Sequence, residues 1–272
     1  MGKLLRLFPS HDLMGWTVHF YRKIDNEVQP YHYVPMSSRP GELRPTRISD
    51  VKKLWKSGEE VYPSVTTVLN CLSKPALESW KIDQHLEQAY LLAHEFDNTQ
   101  SKDQFISDVK FHTEKKLEAA PSRGTDFHKL MEQYFDGSMT PEGKDWEFCN
   151  KVALYIEERT EPMTDGLWIP EYNFAFEGYG GQIDLVIGND WIIDYKTKQT
   201  ADKFKPGKMA YEDHSMQLAA YRKAVAPEAR CANVFVCLED GQVDFHEHTE
   251  EQLEKGWRMF ECCLKLWQEK YL

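Results

Sequence analysis

The sequence predicts an α/β fold: a central mixed β-sheet flanked by helices, with an α+β arrangement as the alternative. Three observations predict it. The apolar pattern runs at helical spacing from Pro75 to Glu158, then changes to a period of two between Trp168 and Lys196. Beyond that point helix, strand and helix signals follow one another to the end of the chain. The 272 residues, 41% of them hydrophobic, with eight Trp, 14 Phe and 13 Tyr, supply enough apolar surface for one large domain.

Taken in order, residues 1–61 read as a β-containing lead-in distinct from the main domain, residues 62–272. Thr17-Val-His-Phe-Tyr21 alternates as a strand does, Asp25-Asn26 suits a turn, and Tyr31 to Arg47, rich in Pro, Ser and Arg, reads as loop. Ser64 stands where it can cap a helix that begins at Val65. From Pro75 to about Glu118 Leu77, Trp80, Leu86, Tyr90 and Ala93 share one face; Asn98-Thr-Gln-Ser101 interrupts, and a second helix follows through Phe105, Val109 and Leu117. A third helix spans Ser122 to Phe135, with Gly124-Thr125 at its start and Gly137 beyond its end. A fourth spans Lys144 to Glu158 on Trp146, Val152 and Ile156.

Three strands come next, Trp168–Phe176, Gly181–Ile187 and Trp191–Lys196. Met216 to Val225 is helical and closed by Pro227; Ala232–Cys237 and Gln242–His248 form a hairpin around Asp240-Gly241. In the closing helix Leu253, Trp257, Phe260, Leu264 and Trp267 recur at helical spacing, which is the pattern of a core-facing stripe rather than of a ligand site.

Composition narrows the function classes. Six cysteines without a CxxC pair argue against zinc and iron–sulfur centres and for reduced thiols. No apolar run is long enough to cross a bilayer, and the N-terminus lacks a secretory h-region, so a cytoplasmic protein with no membrane partner is expected. A net charge of −11 is unlike that of a nucleic-acid-binding protein as a whole. A local basic groove suffices for a strand, however, and a metal-binding carboxylate cluster itself adds negative charge.

The most informative segment runs from Gly180 to Thr197. Gly188-Asn189-Asp190 is a turn signal between two apolar strands. With those three residues as the loop, Ile187 faces Trp191 and Asp184 falls opposite Asp194. Directly opposed residues have Cβ atoms about 4.5–5.5 Å apart. Two carboxylates so placed among Ile183, Val186, Ile192 and Ile193 repel unless a cation lies between them. Lys196, two residues past Asp194, projects from the same strand face. Two carboxylates and an ammonium group converging on one point suit phosphodiester hydrolysis with Mg²⁺ or Mn²⁺. Asp184, Asp194 and Lys196 are therefore the candidate catalytic residues.

Two helices support this site. His128 and Glu132 stand four apart on one, and an imidazole is a good ligand for Mn²⁺-like ions. Gln217 and Tyr221 stand four apart on the other; an amide and a phenol can bond a phosphate, and Tyr can stack on a base. Taken alone, each pair reads more readily as an ordinary helix surface. Between the hairpin and the second helix, five lysines from Lys196 to Lys208 surround one acid, Asp202, as a track for a phosphate backbone would.

Together these pieces resemble the RecB-type branch of the PD-(D/E)xK nucleases. The matching elements are Gly124/His128, Gly181/Asp184, Asp194-Tyr195-Lys196 and Gln217/Tyr221, in the family's order. Upstream, Pro63-Ser-Val-Thr66 and Trp80-Lys81 resemble mitochondrial genome-maintenance exonucleases and phage-encoded relatives, and the likeness covers about residues 62–270. The resemblance implies a restriction-endonuclease-like core. It implies a metal on His128, Asp184, Asp194 and the Tyr195 carbonyl, with Lys196 as catalytic lysine. It also implies DNA contacts at Arg123, Thr197, Lys198, Gln217 and Tyr221, and a helical cover over the site, for which residues 75–118 are the candidate. The activity implied is a DNA exonuclease acting on single strands or free ends; a structure-specific endonuclease or a catalytically silent DNA-binding protein are the alternatives. A recombination or replication partner protein and a phage origin in a host cytoplasm fit the same resemblance. The chain departs from some relatives in lacking the spacing of a four-cysteine cluster and a helicase portion, and from the superfamily's name in having Ile183, not proline, before Asp184.

Overall fold

Asp25 and Asn26, with φ of 50° and 67°, close a tight hairpin between β1 (Phe20–Ile24) and β2 (Glu27–Pro30). The computed structural model describes residues 19–36, 38–39, 41–94, 101–160 and 167–272, without the side chains of residues 76, 117–123 and 125. β3 (Tyr33–Pro35) and β4 (Leu43–Pro45) pair with each other, and α1 (Ile48–Lys56) follows. β5 (Val61–Pro63) pairs with β1, and α2 (Val65–Leu69) begins at Ser64, whose hydroxyl accepts the Thr67 N–H at 3.0 Å. α3 (Pro75–Ala93), α4 (Lys102–Phe135) and α5 (Lys144–Thr160) precede the strands β6 (Trp168–Phe176), β7 (Tyr179–Ile187) and β8 (Trp191–Lys198). α6 (Glu212–Val225), β9 (Arg230–Cys237), β10 (Val243–Glu247) and α7 (Glu250–Tyr271) complete the chain.

The central sheet has the order β10-β9-β8-β7-β6. It is mixed: β8 and β9 run parallel, joined by the α6 crossover, and every other pair is antiparallel. One face packs on α2, α6 and α7 through Ile183, Val186, Ile192, Met216 and Phe260. The other packs on α5 and the end of α4 through Leu185, Ile193, Val234, Phe127 and Ile156. The expected α/β architecture is thus present, and all but one of the α7 stripe residues are buried. All six cysteines are free, four of them buried. Among the described residues no helix is long and apolar enough to cross a membrane.

Three expectations need correction. The stretch Tyr31–Arg47 contains β3 and β4 rather than loop alone. α1 was not expected, although Ile48, Val51, Leu54 and Trp55 follow helical spacing and Asp50 accepts the Arg47 N–H at its start. The helices ending near Leu117 and starting at Ser122 are one helix, α4. Pro121 and Gly124 weaken it locally, but buried Val109 and Thr113 before them and Phe127 and Met131 after them anchor both ends. The chain also forms two compact units. Val18–Leu72 belongs to one unit with Asp126–Leu272, and Ser73–Thr125 falls in a second. The β1–β5 ladder and a bridge from Ser64 to Gly180 tie the lead-in to β7. In the second unit Lys116 pairs with Glu87 at 2.9 Å, while Leu86, Tyr90 and Phe111 are exposed.

Candidate active site

The site forms where strand alternation slips. In a regular strand residues three apart face opposite ways. Ile183 and Val186 nevertheless share one core, and Leu185 lies in the other. The slip falls at Asp184. Beside it on β6, between the paired residues Pro170 and Tyr172, Glu171 takes a φ of 50°, left-handed backbone that side chains rarely adopt. The β7–β8 ladder follows the expected register, Ile187 to Trp191, and ends at Leu185–Ile193. Asp184 then accepts the Tyr195 N–H at 2.6 Å, so a carboxylate stands in for the next strand.

His128 reaches this point from α4, with Nδ1 3.2 Å from Asp184 Oδ1. Donor atoms of His128, Glu171 and Asp184 all lie within 4.8 Å of one another. Burial alone would depress the His128 imidazolium, but Asp184, helped by Glu171 and Asp194, holds its pKa up at about 9. Burial and then the Asp184 charge push the Glu171 carboxyl up to about 8, against the pull of His128. Burial opposes ionisation of Asp184 as well, yet His128, Lys196 and the Tyr195 N–H outweigh it and keep this carboxyl low. An imidazole and two crowded acids, one of them reluctant to ionise beside the other, are a donor set that a divalent cation would relieve.

Asp194 and Lys196 form the second half. Lys196 Nζ is 2.6 Å from Asp194 Oδ2. Asn233 Nδ2 donates to the same oxygen at 2.7 Å, and Gln217 Nε2 donates to Oδ1 at 2.8 Å. Lys196 also donates to Gln217 Oε1 at 3.2 Å. Burial would strip the ammonium of its charge; Asp194 and then Asp184 reverse this and raise its pKa. Burial raises Asp194 too, against the pull of Lys196.

A model of the PD-(D/E)XK nuclease superfamily matches residues 104–261. The chain belongs to that superfamily. The five-stranded mixed sheet is accordingly the nuclease's restriction-endonuclease-like core. Among solved structures, the nuclease is similar to one described as "Putative exonuclease" from Eubacterium rectale, at 16% identity over 50% of this chain and 62% of that one, with a TM-score of 0.34. It is also similar to an alkaline exonuclease from Laribacter hongkongensis, at 12% identity over 53% of this chain and 91% of that one, with a TM-score of 0.25. The chain thus spans about three fifths of the first structure's length, 62%. No curated protein matches it.

Asp184, Asp194, Lys196 and His128 lie close together, and His128 pairs with Asp184, not with Glu132. The three-donor group contains Glu171, which sequence reasoning missed, and not Asp194, whose two oxygens are taken by Lys196, Asn233 and Gln217. Tyr195 has its ring buried against Phe127 and His128. Gln217 and Tyr221, expected at the DNA-facing rim, are buried: Gln217 Nε2 donates to the Tyr221 hydroxyl at 2.8 Å, and the Tyr221 ring packs on Phe174. That placement suits holding Asp194 and Lys196 in position rather than stacking on a base. Thr197 and Lys198 are half-buried at the end of β8, and the Arg123 side chain lies outside those described. Asn233 and Tyr21 were missed as well. β1 packs against β6 and β7, and burial, then Glu171 and Asp184, raise the Tyr21 phenol.

Proposed function

We propose that this nuclease is a metal-dependent DNA exonuclease acting from free ends of single strands. The observation that supports this is the adjacency of two sets: His128, Glu171 and Asp184 as donors for Mg²⁺ or Mn²⁺, and the Lys196–Asp194 pair beside them. When bound, the cation would polarise a phosphate and acidify an attacking water. Asp184, already ionised, supplies it with negative charge, and Asp194 is kept as a further ligand of the proposal together with the Tyr195 carbonyl. Lys196 keeps its proton and offers positive charge where the phosphate oxygens gain negative charge. Gln217 and Tyr221 hold Asp194 and Lys196 in register, while Lys198, Thr197 and Arg123 remain the candidates for DNA contact. Residues 75–118 are proposed as a helical cover through which an end threads. A cytoplasmic setting, with a recombination or replication partner, is part of the same reading.

The test uses 5′- and 3′-labelled linear single strands and circular single strands, each with Mg²⁺, Mn²⁺ or EDTA. Metal-dependent loss of linear strands alone, abolished in Asp194→Ala and lowered at least about 100-fold in Lys196→Ala, is expected. Cutting of circles would move the protein to the endonuclease alternative. DNA binding without cleavage under any metal would leave a silent DNA-binding protein.

A further inference from the structure

The hydrogen bonds around Asp194 do not end at Asn233. Asn233 is fully buried in β9, level with Asp194 on β8 in the parallel register. Its amide nitrogen donates to Asp194 Oδ2 at 2.7 Å, and its amide oxygen lies 2.7 Å from Nε2 of His248. Asp194 Oδ2 also receives Lys196, so this oxygen accepts and the Asn233 nitrogen must face it. The Asn233 oxygen therefore faces His248, and His248 donates through an Nε2–H.

His248 is itself fixed. Only 5% of its surface is exposed. Its backbone N–H donates to Cys231 O at 2.9 Å, and the next residue, Thr249, caps α7. Burial, with His246 alongside, holds the imidazole neutral by pulling its pKa down to about 4.

We infer that His248 is a positioning residue for Asp194, acting through Asn233: its Nε2–H locks the amide in the orientation that presents Nδ2 to the carboxylate. A buried amide has two orientations of nearly equal shape. Turned over, Asn233 would set its oxygen against Asp194 and force the His248 proton onto Nδ1, a buried atom with no hydrogen-bond partner among the described residues. That state is penalised, so Asp194 Oδ2 keeps its Asn233 donor. This inference rests on the proposed function for its effect on activity, but not for its effect on Asn233.

Two substitutions separate the role from mere filling of space. In His248→Gln the new Nε2 occupies nearly the place of the imidazole Nε2. In His248→Asn the amide is one bond too short to reach Asn233. The expected result is kcat close to wild type for Gln and lowered about 10- to 100-fold for Asn, with KM for single-stranded DNA unchanged. NMR of the Asn233 side-chain amide in selectively labelled protein gives a readout independent of cleavage. Slow amide-proton exchange is expected in wild type and His248→Gln, and faster exchange in His248→Asn. Equal behaviour of the two variants, in kcat or in exchange, overturns the inference. If activity survives Asp194→Ala, the proposed function is at fault, and the amide signal alone decides whether His248 sets Asn233.

Discussion

The His128 imidazole meets the Asp184 carboxylate at 3.2 Å although 56 positions of chain separate them. With Glu171 close by, the pair makes the proposed cation site, whose occupation should be visible without any substrate. Mn²⁺ is expected to raise the Tm of the wild type; a ligand at 100 times its Kd adds about 2.7 kcal/mol. His128→Ala, Glu171→Gln and Asp184→Asn should each lose most of that shift in thermal melts run with Mn²⁺ and with EDTA. A full shift in all three variants would place the cation elsewhere.

Lys196 and Gln217 should separate chemistry from support. Lys196→Ala is expected to lower kcat by about 10²- to 10³-fold, the usual effect of removing one preorganised donor. Gln217→Leu removes a donor from Asp194 and an acceptor from Lys196. Unpaired buried groups cost about 1–3 kcal/mol, so urea unfolding should show that loss together with reduced kcat. Unchanged stability in Gln217→Leu would contradict the hydrogen bonds described for it.

Gly181 owes its place to crowding. A Cβ there would stand 2.7 Å from the Phe174 ring and 3.1 Å from that of Tyr221. Neither buried ring can swing aside freely, so Gly181→Ala should destabilise the protein by about 1–3 kcal/mol, the cost of overpacking. Calorimetry checks this; a variant as stable as wild type would mean the rings yield without strain.

Acid should weaken the fold through two histidines. Burial, then a neighbouring histidine, lowers His32 to about 3 and His248 to about 4, from an ordinary 6.5. Both are depressed in the folded state, so the unfolded chain takes up the proton first as pH falls. Their contribution is complete above about pH 6.5. It is lost toward pH 4 and then 3, at up to about 1.4 kcal/mol per pH unit for each. Glu171, held protonated in the fold up to about pH 8, opposes them in part, so urea midpoints should fall only between about pH 6.5 and pH 4.5, where two histidines outweigh one acid, and His32→Phe should flatten the slope there. A midpoint that holds steady with falling pH would sink this account.

The hairpin of β7 and β8 was legible in the sequence because its turn chemistry and apolar runs fix the register locally: Ile187 opposes Trp191 as expected. Glu171 was hidden because its role depends on a left-handed backbone and a slip in alternation, which residue pattern does not encode. Asn233 interrupts an apolar strand, and that was a signal. Its partner Asp194 follows only from the parallel β8–β9 pairing across α6, a long-range choice. For Gln217 and Tyr221 the i, i+4 spacing gave a shared face, but packing against Phe174 decided that the face points inward.

The parallel pairing of β8 with β9 also sets a schedule. Asp194 leaves the ribosome well before Asn233, and His248 emerges later still. A growing chain that ends before β9 has the acids and the lysine but no neighbouring strand to hold them, so a chain stalled there is expected to be inactive. Synthesis thus delays assembly of the candidate site until β9 and His248 have been made.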